Sequence, residues 1–215
     1  MNRPGSPIVA GTMSKRFSFS VHGSTTRAVV LVAACIVAVA AFRVARAAFL
    51  PEIPNFAPVA ALAFCGGLFL PGLAGWILPM VVLAGSDLAL SALLGYPVFS
   101  GAQSVAWLCT LAVIGLGRWL SASPSLGLGR FFGSVLGGSV LFYLVTNTAG
   151  WLANPAYARG LSGLWTSLTV GVPGYPPTWM FFRNSAISDL IFAGLVLAVW
   201  VVATRSLRRP AVALA

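Results

Sequence analysis

Ala28 to Phe42 is an unbroken run of apolar side chains, and the chain repeats the pattern, each run closed by proline, glycine or arginine. Helices of that length and character are at home in lipid, where every backbone polar group must be satisfied within the segment. Of the 215 residues, 59% are hydrophobic and 7% charged; a water-soluble domain carries about 25% charged residues. The runs also exceed the ~10-residue alternating segments of an outer-membrane barrel. The chain therefore reads as all-α, a polytopic bundle of membrane helices.

Proline and glycine mark the helix ends. The first span is expected over 27–49, stopping at Pro51-Glu52-Ile53-Pro54, and a shorter apolar stretch covers 56–70 before Pro71-Gly72. At about 1.5 Å per residue that stretch barely crosses a ~30 Å core, so it is tilted, extended by its neighbours or re-entrant. Further spans are expected over 76–94, with Pro79 in the first turn where proline is tolerated, and over 101–120, 131–152 and 179–207. In the 153–178 connection, Tyr157, Leu161, Leu164, Trp165, Leu168 and Val172 recur at helical spacing, which predicts a short interfacial helix near 158–172. The organisation is thus a disordered basic tail over 1–26, carrying the single histidine His22, a six-helix domain over 27–207, and a tail over 208–215.

Lysine and arginine set the expected orientation. With the N-terminus in the cytoplasm, that side collects Arg3, Lys15, Arg16, Arg27, Arg118, Arg130, Arg205, Arg208 and Arg209, leaving Arg43, Arg46, Arg159 and Arg183 outside. Both termini are then cytoplasmic, and the expected location is a bacterial inner membrane. A competing reading takes the basic tail, the apolar run and Ala45-Arg46-Ala47 as a cleavable signal peptide, which would leave five spans. The net charge of +10 sits at termini and helix ends, where topology and anionic headgroups account for it, so nucleic-acid binding is not expected. Cys35, Cys65 and Cys109 lie in apolar runs without CxxC spacing, and neither a disulfide framework, a metal site nor a cofactor is indicated.

Only three acidic residues occur, and Asp87 and Asp189 fall inside apolar runs, each in a Ser-Asp-Leu tripeptide. A carboxylate at membrane depth costs ~2.5–3.5 kcal/mol on insertion scales, so such a residue is a functional-site candidate. With the topology above, nearly all strongly polar intramembrane groups fall in the outer half: Arg43, Arg46, Asn55, Asp87, Asn147, Trp151, Arg183, Asn184 and Asp189. They are expected to converge in one outward-facing polar cavity. The arginines would balance the carboxylates or hold an anionic ligand group, and the asparagines would orient hydrogen bonds. Plain gluing of helices is the alternative, at an average of about 0.6 kcal/mol per interhelical bond. On the first helix Ala34 and Ala38, then Ala41 and Ala45, and on the fifth Gly133 and Gly137, have the small-xxx-small spacing that lets helix backbones approach.

Several elements carry a resemblance. Pro54-Asn55-Phe56-Ala57-Pro58-Val59, Ser86-Asp87, Gly117-Arg118, Gly133-Ser134, Thr146-Asn147 with Trp151, and Phe181-Phe182-Arg183-Asn184 leading to Ser188-Asp189-Leu190 resemble an uncharacterised group of small bacterial membrane proteins. That group is similar in size and six-helix layout to the substrate-binding S components of energy-coupling factor vitamin transporters. The resemblance implies an outward-facing pocket for a vitamin-like micronutrient. It also implies a first helix whose Ala34/Ala38 face docks on a transmembrane coupling protein served by ATPase subunits. No Gly-Lys-Ser/Thr phosphate loop is present, so any ATP-driven step falls to partners.

The leading expectation is a non-enzymatic binding and uptake subunit with a small-molecule ligand in a lipid bilayer. An intramembrane aspartyl hydrolase, with Asp87 and Asp189 sharing one proton, is an alternative from another class; it lacks a Gly-x-Gly-Asp element. A structural or assembly protein is the third.

Overall fold

The computed structural model describes residues 18–21, 25–50, 52–95, 97 and 99–205. Most of the N-terminal tail, His22, Tyr96, and the segment from 206 onward with its Arg208 and Arg209 lie outside the described residues. In chain order the elements are β1 (Ser18–Phe19), α1 (Thr26–Phe49), α2 (Val59–Phe69), α3 (Ala74–Leu94), α4 (Gly101–Ser121), β2 (Leu126–Gly127), α5 (Leu128–Ala153), α6 (Leu161–Leu168) and α7 (Thr178–Arg205).

Local chemistry explains the helix ends. Thr25 caps α1 by accepting from the Ala28 N–H at 3.3 Å, and Ser100 caps α4 by accepting from the Gln103 N–H at 3.1 Å, as N-cap hydroxyls do. Gly95 ends α3 at φ 75°, the left-handed conformation that glycine adopts without strain. The predicted short helix of the 153–178 connection is α6. It turns Gly163 and Ser167 inward and leaves Leu161 and Trp165 exposed.

Among the described residues five helices, α1, α3, α4, α5 and α7, are long and apolar enough to cross a membrane, so the chain is a multi-pass helical membrane protein. They form a closed ring by successive packing, α1 on α3, α3 on α4, α4 on α5, α5 on α7 and α7 on α1. The sixth apolar stretch is not one more full-length member of that ring. It is α2, 11 residues and so about 16 Å long, packed against all five long helices. All of α2 except Val59 is buried. Its uniform hydrophobicity is that of a helix enclosed by protein on every side.

Glycine makes that enclosure possible. A Cβ on Gly67 would lie 2.3 Å from the Ile114 carbonyl oxygen, and one on Gly117 would lie 2.4 Å from that of Phe64. Here α2 and α4 cross backbone to backbone. Pro79, in the first turns of α3, fills the notch left by Gly66, where a Cβ would meet its Cγ at 2.2 Å.

The two ends of the ring differ. At the end where α1 begins, Phe19, Phe64, Phe69, Phe131 and Trp200 form a continuous aromatic cluster, with the Phe69 and Trp200 rings stacked at 4.7 Å. The tail expectation is corrected for Ser18–Val21: Ser18 and Phe19 pair antiparallel with Gly127 and Leu126, and Phe19 and Val21 are buried. The apolar side chains find a site between helix ends, and the Ser20 carbonyl accepts from the Trp200 indole at 3.1 Å. At the opposite end, the half-length of α2 leaves space inside the ring.

Candidate functional site

That space is a cavity of about 430 Å³ above the N-terminus of α2. Its walls come from the 55–60 segment, the later half of α5, the start of α7 and the 171–178 connection. The lining follows helical periodicity. On α5 it takes Ser139, Tyr143, Thr146 and Asn147, and on α7 Thr178, Phe181, Phe182, Ser185 and Asp189, spacings that hold one helix face. Asn55, Tyr175 and Pro176 are exposed at the rim, whereas Ala57, Ala60, Ser139 and Asp189 are buried at the floor.

Asp189 is set there by the backbone of α2. The cap residue of α2 is Pro58, whose side chain makes no capping bond, so the first N–H groups of a buried helix need another acceptor. Asp189 supplies it from α7: one carboxylate oxygen accepts from the Ala61 N–H at 2.8 Å, the other from the Ser139 hydroxyl at 2.7 Å. Ser139 has one hydrogen and a second acceptor in reach, the Val135 carbonyl at 3.1 Å, and the shorter contact is to Asp189. At the far end of α2 the Arg118 guanidinium donates to the Leu70 carbonyl at 2.8 Å. A helix with no charged residue of its own thus carries an anion at its positive end and a cation at its negative end, each the favourable sign for the macrodipole.

Asp87 is in a different place, the α1–α3–α4 side of the same end. Arg43 pairs with it at 2.6 Å, with side chains 16% and 3% exposed. Its other oxygen accepts from Gln103 Nε2 at 2.6 Å and Trp107 Nε1 at 2.8 Å. Ser86 accepts from Arg43 at 2.5 Å and donates to the Leu83 carbonyl at 2.7 Å. Both carboxylate oxygens are engaged by side-chain donors, one of them a cation, and none of the network's members lines the cavity.

The single convergent cavity expected from sequence is therefore corrected to two separate sites. Asn55, Asn147 and Asp189 reach the cavity wall; Arg43, Arg46, Asp87, Trp151, Arg183 and Asn184 do not. The physical reason is azimuth: residues at one membrane depth still point to different sides of their helices. Arg46 donates to the Ile53 carbonyl at 2.8 Å, pinning the turn after α1, and its Nε is buried without a partner. Arg183 lies 5.3 Å from the Trp179 ring centre and donates to Asn184 Oδ1 at 3.2 Å. Asn184 donates to the Pro54 carbonyl at 2.8 Å, and Asn55, at φ 55°, donates to that of Phe181 at 3.4 Å. These reciprocal bonds fasten the 54–58 segment to α7. Asn147 donates within its helix to Tyr143 O at 2.8 Å, and Trp151 donates to Ala158 O at 3.0 Å, clamping the turn before α6. Ala34 and Ala38 are exposed on the outer face of α1; Gly133 and Gly137 likewise face open space. Asp87 and Asp189 share no hydrogen-bond partner, so the geometry lends the proton-sharing dyad no support.

Sequence reasoning missed Gln103 and Trp107 around Asp87, and Ser139 and Tyr143 around Asp189. Both pairs had a signal, since Gln103/Trp107 and Ser139/Tyr143/Asn147 recur every four residues and so share one face of their helices. Tyr143 also donates to the Leu168 carbonyl, joining α5 to the end of α6.

Comparison with curated proteins and with solved structures finds no match to the chain. A family model described as "Family of unknown function (DUF6580)" matches residues 23–212, a span that includes all five long helices, α2 and the cavity. The chain belongs to that family.

Proposed function

We propose that this protein is a membrane-embedded binding and uptake subunit for a small, vitamin-like molecule. The cavity at Asp189 is its ligand site. The observation that carries the reading is the cavity: about 430 Å³, within the roughly 300–1,000 Å³ of small-molecule sites, with a buried carboxylate at its floor and aromatic and amide groups above.

The aromatic cluster at the other end of the ring supports the same reading. A binding subunit must keep its ligand from leaking through, and α2 with the five aromatic rings at its far end fills the ring of helices on the side away from the cavity. The lysine and arginine distribution orients that mouth away from the cytoplasm of a bacterial inner membrane, with both termini inside. In this reading α2 serves as the short sixth member of an S-component-like bundle. The exposed Ala34/Ala38 face of α1 suits close approach of a coupling-protein helix, and ATPase partners would supply the energy, since the sequence has no phosphate loop of its own.

Native mass spectrometry of gently purified protein tests the proposal. A retained small molecule is expected, and it should be lost in Ser185→Trp, which fills the cavity. Protein that never carries a ligand, under extraction mild enough to keep bound lipid, would refute it.

A further inference from the structure

We infer that the cavity takes an organic cation: a flat or compact group bearing a protonated amine or another positive centre that approaches Asp189. This rests on the binding reading above and names its ligand class.

Charge is the first argument. Asp189 is the one charged residue among the described residues lining the cavity. No arginine lines the cavity: Arg43 pairs with Asp87, Arg46 donates to the Ile53 carbonyl, Arg159 to the Leu152 carbonyl, and Arg183 to Asn184 while lying over the Trp179 face. An anionic ligand would meet a carboxylate and no cation, in a site where an unpaired charge is costly. The positive end of α2, which could have attracted an anion, is already answered by Asp189.

Capacity is the second. An ionised carboxylate has about four acceptor sites, and the protein supplies donors for three of them, the Ala61 and Ala60 N–H groups and the Ser139 hydroxyl, leaving about one open toward the cavity. It can accept a further charged donor without surrendering its hold on α2. The walls are the third argument. Phe142, Tyr143, Tyr157, Tyr175, Phe181 and Phe182 contribute to the lining, and aromatic faces carry the negative side of the ring quadrupole, which attracts cations. A carboxylate beneath aromatic rings with no basic residue is a cation-selective combination.

The experiment uses matched probes on one flat scaffold: tryptamine, tryptophol and indole-3-acetate, titrated calorimetrically into the full chain in lipid nanodiscs. A second set, phenethylamine, phenethyl alcohol and phenylacetate, guards against a shape effect. The amines are expected to bind about tenfold or more tighter than the alcohols, the gain of a charge-assisted contact over a neutral one, with no detectable binding of the acids. Asp189→Asn should erase the difference between amine and alcohol. Because Asp189 also caps α2, that variant could unfold; Tyr175→Leu at the exposed rim then substitutes, and should weaken the amine more than the alcohol. Amines and alcohols binding alike, acids binding best, or silence from both amines would each overturn the inference. Preferential binding of alcohol or acid would sink the cation class and leave the binding reading standing. Silence from all six probes together with no retained molecule in native mass spectrometry would remove both.

Discussion

The two intramembrane carboxylates share a tripeptide and an end of the bundle, yet their surroundings teach opposite lessons. Around Asp87 every oxygen is answered by side chains: a guanidinium, an amide and an indole draw α1, α3 and α4 together. Around Asp189 the partners are the backbone N–H groups at the start of α2 and a hydroxyl, no cation pairs with it among the described residues, and a cavity begins where they end. The first arrangement closes one side of the ring. The second holds the N-terminus of a short helix and keeps acceptor capacity to spare. Buried charge therefore does not by itself mark a binding site; charge that is incompletely answered beside a void does.

The largest effect should come from breaking the closed side. Arg43→Ala strands the Asp87 carboxylate, and removing one partner of a buried pair costs about 3–5 kcal/mol. The double variant Arg43→Met/Asp87→Leu should recover part of that loss, because no buried ion is left unpaired, while the Gln103 amide and Trp107 indole lose their acceptor. Unfolding in mild detergent, followed by circular dichroism, checks both. If the single variant is as stable as the parent, the network is not what joins the three helices.

Next comes the support of the cavity floor. Gly117→Val drives a branched side chain into the Phe64 carbonyl, and overpacking of this kind costs about 1–3 kcal/mol; ligand retention should fall with it, since α2 would shift. An unchanged melting profile would mean the backbone crossing is looser than drawn. Asp189→Ala should cost about 1–3 kcal/mol, the desolvation cost of the Ala61 N–H left unsatisfied. Arg118→Met is smaller, about 0.3–1 kcal/mol for the cation at the opposite terminus. A greater loss in Arg118→Met than in Asp189→Ala would invert the proposed roles at the two ends of α2.

Much of this fold could be read from residue order, and the exceptions have physical causes. The ends of the apolar runs follow from Pro54, Pro71 and Gly95, because breakers act locally, while the caps Thr25 and Ser100 came from the structure. The status of 56–70 was open because hydrophobicity measures affinity for any apolar surroundings. It cannot distinguish lipid from the five helices that surround α2. Ser18 and Phe19 were hidden in a polar tail, since a two-residue pairing leaves no periodicity to detect. At the site, Asp189, Asn55 and Asn147 were found by polarity in apolar context. Depth in the membrane could not show that Asp87 and Asp189 face different neighbours, because the direction of a side chain around its helix depends on packing partners far along the chain. The arginines misled for the same reason: their positions near the mouth were correct, but Arg46 and Arg183 are occupied by local carbonyl, amide and ring contacts.

The division of labour between the two carboxylates is tested most directly by native mass spectrometry of three proteins purified in parallel: the parent, Asp189→Asn and Arg43→Met/Asp87→Leu. A small molecule should accompany the parent and the double variant but be absent from Asp189→Asn. Retention by Asp189→Asn with loss from the double variant would contradict the account and move the binding site to the α1–α3–α4 side.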